Sequence, residues 1–380
     1  MHARHLMDAI RNNDAGAEIR YWYRPDLAYM GFVSVLMHLP EILRGMRECK
    51  REITRFCPER LVLVDYPGFN LKIAAWFHDT YINKVKGSAA PIPKVVYYIP
   101  PKIWAWKEGR IVQIKKYVDI MLSILPFEVQ WYEKRHGCHV DYVGNPTLDE
   151  IAMFRNSMEV CEIERWRSSL SLDKAPIVAL LPGSRRQEIE RNLPVMLKAA
   201  RNVGGDFCYV IASAPNMEKQ YYDSIIAATL GDDVEAFRSR VVLAPCLGSK
   251  SSFMLLANAH AALVTSGTAT LETAIFGVPQ VVCYAMAFGR FVSLLRRLLL
   301  RVPYVSLVNL ITGSEVVPEL VAGDMTQESV EKNLRNVLMD EDFRSRQLQG
   351  YKSMMLLLGE PGAPEKAARI MKEDKKRIGL

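Results

Sequence analysis

Two adjacent arginines, Arg185 and Arg186, follow a glycine turn at the end of an apolar run in LLPGSRRQEI (180–189). Guanidinium forks match phosphate oxygens bidentately, and a glycine lets backbone approach an anion closely. Gly183, Ser184, Arg185 and Arg186 are therefore a candidate anion grip. The next helix is expected near Asn192, with Pro194 in its first turn, which leaves both arginines on a loop. The competing reading is a solvated turn whose arginines pair with Glu188 and Glu190. A second candidate lies in LVTSGTATLETAIFGVPQVVCY (263–284), where Ser266, Gly267 and Thr268 join a strand to a helix. Backbone N–H groups and the helix dipole together favour a phosphate there. Glu272, a turn into that helix, can reach back towards a ribose diol. Equally, Ser266 and Thr268 could cap the helix and Glu272 could be solvated. No G-K-[ST] follows, so this is not a P-loop.

The first half of the chain carries chemistry of another kind. Asp65, in VDYPGFNLKIA (64–74), stands at a strand's carboxyl end beside Pro67 and Gly68. A carboxylate so placed can serve as a general base, or simply start the following helix. In YYIPPKIWAWKEGRI (97–111), Lys102, Trp104, Trp106, Lys107 and Arg110 crowd a strand-to-helix loop. Rigid aromatic and basic side chains suit sugar stacking plus phosphate contact. Asn145, in YVGNP (142–146), belongs to another strand-end turn. No G-x-S-x-G elbow or H-E-x-x-H occurs, and the seven histidines form no ligand pattern. Asp340-Glu341-Asp342 reads as a solvated face, so no metal site is expected.

These residues need strands to end at the right places. Apolar β-rich runs at 18–23, 61–65, 94–99, 119–125, 176–181, 207–213, 240–245, 260–265 and 279–284 alternate with helical patterns. Near-continuous apolar strands between helices predict parallel sheets covered on both faces. The pattern pauses between 143 and 175, and the chain opens directly on a helix pattern with Leu6 and Ile10. The expected architecture is α/β, with two Rossmann-like domains whose sheets face each other across a cleft. Residues 1–165 would form the first, 166–340 the second and 341–380 a helical tail. A length of 380 residues agrees with two domains. The net charge of +7 leans towards anionic partners but is too small to argue for nucleic acid. Seven scattered cysteines without a C-x-x-C pair suggest a reducing compartment. Neither a signal peptide nor a spanning segment is evident, so a cytoplasmic location is expected.

VDYPGFNLKIA, YYIPPKIWAWKEGRI, LPFE (125–128), YVGNP, LLPGSRRQEI, TSGTATLE (265–272) and YVSLVNLI (304–311) occur in the order seen in bacterial lipid-A-disaccharide synthases. The chain resembles that family from about His2 to its last fifth. The resemblance implies a metal-independent, inverting glycosyltransferase of the two-Rossmann-domain B fold with no cofactor. Its substrates would be UDP-2,3-diacylglucosamine and 2,3-diacylglucosamine 1-phosphate, its products UDP and a β-1,6 disaccharide. It implies Asp65 as candidate base and Arg185 on the departing diphosphate. Gly183, Ser184, Arg186, Ser266, Gly267, Thr268, Glu272 and Asn309 would hold the UDP-sugar. Lys102, Trp104, Trp106, Lys107, Arg110 and Asn145 would line the acceptor side. Acyl chains further imply a peripheral position on the inner face of the inner membrane. LAYMGFVSVLMHLPEILRGM (27–46) and FGRFVSLLRRLLLRV (288–302) are candidate contacts, or alternatively core or oligomer surfaces.

The family pattern also has a strand and a turn, G-E-x-S-G-D, ahead of the first helix, and a glycine-bearing segment between Trp22 and Arg24. Neither is present in this sequence, so the first sheet is expected to lack a central strand and expose edges. The alternatives are another B-fold enzyme of UDP-sugars, such as a lipid-linked N-acetylglucosamine transferase or an epimerase, and a non-catalytic UDP-binding remnant.

Overall fold

The computed structural model describes residues 2–24, 37–83, 92–170, 175–215, 217–231, 235–245, 249–285 and 303–377. The chain forms two compact units, Met1–Pro146 with Glu360–Leu380, and Thr147–Gly359. Both are α/β and built on parallel sheets, as the strand pattern predicts.

In the first unit β1 (Arg60–Val64), β2 (Lys94–Tyr98), β3 (Ile120–Ser123) and β4 (Asp141–Tyr142) form one sheet in that order, all pairs parallel. Alternate side chains of a strand face opposite sides. Leu63, Val95, Tyr97 and Met121 enter a core with Ile53, Phe69 and Phe77. Val96, Tyr98 and Leu122 enter another with Leu6, Ala367 and Met371. Burial on both faces explains why β2, KVVYY, is apolar after its first residue. The expected strand at 18–23 does not form, and residues 18–24 join no sheet. The β1 backbone pairs only with β2 among the described residues, so the segment has no ladder partner. Side-chain packing holds it instead, with Trp22 stacked on Phe69 at 5.3 Å.

In the second unit β5 (Ile177–Leu181), β6 (Cys208–Ile211), β7 (Val241–Leu243), β8 (Ala259–Val264), β9 (Gln280–Tyr284) and β10 (Glu319–Val321) form a sheet ordered β10-β9-β8-β5-β6-β7. The order reverses direction between β5 and β8, the Rossmann arrangement, and ligands bind such sheets at that switch point. β4 and β10 escape sequence reading because two and three residues carry no periodic signal.

The boundary expected at 165/166 lies earlier, and the tail 341–380 is not one piece. Phe154 packs edge-on against Phe253 and Phe276, and Arg155 donates to the Ile275 carbonyl at 3.0 Å. Helix Pro146–Ser157 therefore belongs, from Thr147 on, to the second unit. Helix Glu341–Leu358 joins the same unit through Gln347, whose amide exchanges two hydrogen bonds with the Gln280 backbone. Helix Ala363–Arg377 returns to the first unit, where Asp374 meets Lys94 at 2.7 Å and Arg60 at 3.3 Å. Surface charge alone could not reveal those partners. Among the described residues no helix is long and apolar enough to cross a membrane. The candidate membrane stretch 288–302 lies outside the described residues, as does most of 27–46.

Candidate active site

At the switch point of the second sheet, the turns after β5 and β8 are joined by one buried side chain. Asn192 donates to the Pro182 carbonyl at 2.9 Å and to Thr265 Oγ1 at 2.7 Å. Its Oδ1 accepts from the Ala285 backbone N–H at 2.8 Å, beyond β9. From the sequence, Asn192 marks only a helix start. A signal existed: Asn192 falls on the apolar stripe formed by Ile189, Leu193, Met196 and Ala200. A polar residue there needs buried partners, and the strand ends supply them.

The helix itself begins at Arg186 and runs to Val203, earlier than expected, with Pro194 in its interior. Glu188 explains the earlier start. Its Oε2 accepts from the Ser184 and Arg185 N–H groups at 3.1 and 3.3 Å, satisfying donors that a helix start leaves unpaired. Its Oε1 accepts from the Arg185 guanidinium at 2.7 Å. Arg185 is thus the N-cap and Arg186 the first helical residue, not members of a free loop. Of the arginine–glutamate pairs in the competing reading, Arg185–Glu188 forms, and it uses the elements of an anion grip: turn amides and a half-exposed guanidinium around one carboxylate. Gly183 is required there, since its φ is +122° and a Cβ would lie 2.6 Å from that of Glu188. The Arg186 guanidinium lies over the Tyr221 ring at 4.5 Å.

After β8, Gly267 (φ +140°) is the N-cap of helix Thr268–Ile275, with Thr268 exposed and Ser266 half-buried. Ser266 Oγ donates to the Val305 carbonyl at 3.1 Å, which brings the YVSLVN segment beside this turn. Glu272 is pushed up to about 7, by burial first and then by the Glu150 carboxylate. Asn309, expected near a nucleotide, instead has its side chain committed within the protein. Fully buried, it donates to the Val317 carbonyl and Glu319, and accepts from the Val316 and Val317 N–H groups, all at 2.8–3.0 Å. An amide has four hydrogen-bonding positions, and none remains for a ligand.

In the first unit Asp65 follows β1 and is exposed, in a left-handed conformation at φ 47°. Trp106 is 59% exposed, with Lys107 and Arg110 over its ring at 4.5 and 5.5 Å. These three form one aromatic and basic patch, and Lys102 is also exposed. Trp104 departs from the expected acceptor lining. It is 5% exposed, edge-on to Phe127, and its indole N–H donates to Glu128 at 2.7 Å. Asn145 is likewise buried and donates to the Ile124 carbonyl at 3.0 Å. Glu128, in LPFE, is wholly buried and also accepts from Ser123 Oγ. Burial pushes its carboxyl up to about 7 against the opposing effect of those hydrogen bonds and of Lys102. The Glu128–Trp104 bond and a Tyr132 hydroxyl donating to the Pro101 carbonyl at 2.6 Å fasten the loop. Among the described residues no group of three or more His, Cys, Asp or Glu could hold a metal.

Residues 13–373 match the family model described as lipid-A-disaccharide synthetase. A lipid-A-disaccharide synthase of Myxococcus xanthus is 35% identical, with 94% of this chain and 86% of that protein covered. One from Syntrophus aciditrophicus is 34% identical, covering 90% and 82%. Among solved structures, an S. aureus MnaA–UDP complex shares 12% identity and aligns over 99% of this chain and 93% of its own, with a TM-score of 0.65. At that identity the likeness shows a common fold alone.

Proposed function

The chain belongs to the lipid-A-disaccharide synthetase family, and from that premise we propose how its residues carry out the family's reaction. The enzyme is an inverting glycosyltransferase. It moves 2,3-diacylglucosamine from its UDP derivative to the 6-hydroxyl of 2,3-diacylglucosamine 1-phosphate, forming the β-1,6 disaccharide and UDP. The observation that carries the assignment of roles is the pair of turns tied together by Asn192 at the switch point.

The acceptor oxygen attacks C1 as the bond from C1 to the UDP phosphate oxygen breaks. The hydroxyl proton passes to Asp65, and the electron pair of the broken bond leaves with UDP. Charge grows on the diphosphate, where preorganised donors stabilise it most. Arg185, with the Ser184 and Arg185 amides, supplies such donors once the diphosphate takes over from the Glu188 carboxylate. The Gly267–Thr268 helix start adds its dipole, and Glu272 takes the ribose hydroxyls. Trp106, Lys107 and Arg110 fit the sugar face and 1-phosphate of the acceptor. Exposed Met37, Leu39 and Leu43 support peripheral contact with a bilayer.

The roles are tested by Asp65→Asn and Arg185→Ala. Asp65→Asn is expected to reduce kcat by about 100-fold or more with UDP affinity unchanged. Arg185→Ala is expected to weaken UDP binding and also lower kcat. Full turnover in either variant would remove that residue from the mechanism.

A further inference from the structure

Six described non-glycine residues have positive φ, and four of them, Asp65, Tyr66, Ile99 and Lys107, follow β1 and β2. Such conformations are costly and persist where the surroundings enforce them, often at functional sites. Asp65 and Tyr66 are consecutive, at φ 47° and 43°. The Asp65 N–H still follows the ladder, donating to the Tyr98 carbonyl at 3.1 Å. Its carbonyl turns out of the ladder and meets two side-chain donors. Asn70 Nδ2 approaches it at 2.5 Å and reaches the Val64 carbonyl at 3.0 Å. The Tyr97 hydroxyl donates to it at 2.7 Å. Asn70 is itself held, since its own N–H donates to the Tyr66 carbonyl at 3.1 Å and helix Pro67–Phe77 starts there. Tyr97 comes from the buried centre of β2.

We propose that Asn70 and Tyr97 are positioning residues for the transfer reaction, locking the Asp65–Tyr66 turn so that the Asp65 carboxylate faces the acceptor hydroxyl. This inference rests on the reading of Asp65 as the base. Removing either donor leaves the Asp65 carbonyl less satisfied and the left-handed turn less enforced, so the carboxylate spends less time in reach of the proton. Tyr97 is wholly buried and the Asn70 amide is turned onto the Val64 and Asp65 carbonyls, so on this proposal either residue acts through Asp65.

The test measures kcat, donor KM and unfolding midpoint for Asn70→Ala and Tyr97→Phe, alone and each combined with Asp65→Asn. Tyr97→Phe keeps the ring in the core and guards against a simple folding failure. A misplacement of about 1 Å can cost roughly 100-fold, so Asn70→Ala should lose about that factor in kcat and Tyr97→Phe about 10-fold. Donor KM should stay within about twofold. In the Asp65→Asn background the same changes should cost less than about twofold, because residues acting as one unit are not additive. Equal losses in both backgrounds, or a lowered midpoint with kcat intact, would overturn the lock. If Asp65→Asn is inactive and Asn70→Ala fully active, the lock alone fails. If Asp65→Asn retains full kcat, the base assignment fails and takes the lock with it.

Discussion

Replacing Asn309 by alanine should unfold the second unit more easily rather than disable nucleotide binding. The buried side chain makes four hydrogen bonds, two to Val317 that are buried and one each to Val316 and Glu319 that are partly buried. Each is worth about 1 kcal/mol net, and a donor or acceptor left unsatisfied inside the protein costs about 1–3 kcal/mol. Val316 and Val317 would lose acceptors for their N–H groups, and Glu319 would lose one donor while keeping the Val305 and Ser306 N–H groups at 2.8 and 2.9 Å. The expected cost is therefore about 4 kcal/mol, a large part of a typical domain's stability of about 5–15 kcal/mol. With a urea slope of about 2 kcal/mol per molar, the second-unit transition should move down by about 2 M. Urea titration followed by far-UV circular dichroism reads that shift, with UDP affinity measured below the transition. An unchanged midpoint combined with lost UDP binding would instead make Asn309 a ligand contact.

Three further outcomes follow from charge. Glu128, raised from 4.5 to about 7, holds its proton more tightly folded than unfolded, so its contribution to stability falls as pH rises from about 4.5 to 7. Glu128→Gln should gain on the native protein by up to about 3 kcal/mol across that window, and a constant difference would contradict it. Glu272 is raised to about 7 as well, and ribose hydroxyls favour its ionised form, so UDP affinity should rise with pH through about 7. That slope should flatten in Glu272→Gln, and its persistence there would place the titration on another group. The exposed Arg185–Glu188 pair is worth up to about 1 kcal/mol. If UDP must take over this guanidinium, Glu188→Gln should tighten UDP binding by up to about fivefold, whereas weaker binding would mean that the carboxylate orients the arginine for the ligand.

Much of this molecule was legible because strand ends carry their own markers. Apolar runs broken by Pro182-Gly183 or Ser266-Gly267 place turns where a parallel sheet binds ligands, and both turns flank the switch point. Asp65 was legible as a strand-end carboxylate, but the left-handed conformation that presents it was not. What failed depends on partners distant in sequence. Trp104 and Trp106 are two residues apart in one loop, yet Glu128 takes the first into the core and leaves the second outside. EIRYWY has strand composition, but a strand exists only with a neighbour to pair with. The tail helices were divided between units by Gln347 and Asp374, whose partners lie up to 314 residues away.

The most direct test of the transfer reaction is to incubate the purified protein with UDP-2,3-diacylglucosamine and 2,3-diacylglucosamine 1-phosphate, in the presence of EDTA. Mass spectrometry and NMR then read the product and its linkage. One UDP should be released for each disaccharide formed, with a β-1,6 bond. Tight UDP binding without any disaccharide would contradict it and leave a UDP-binding protein that does not transfer.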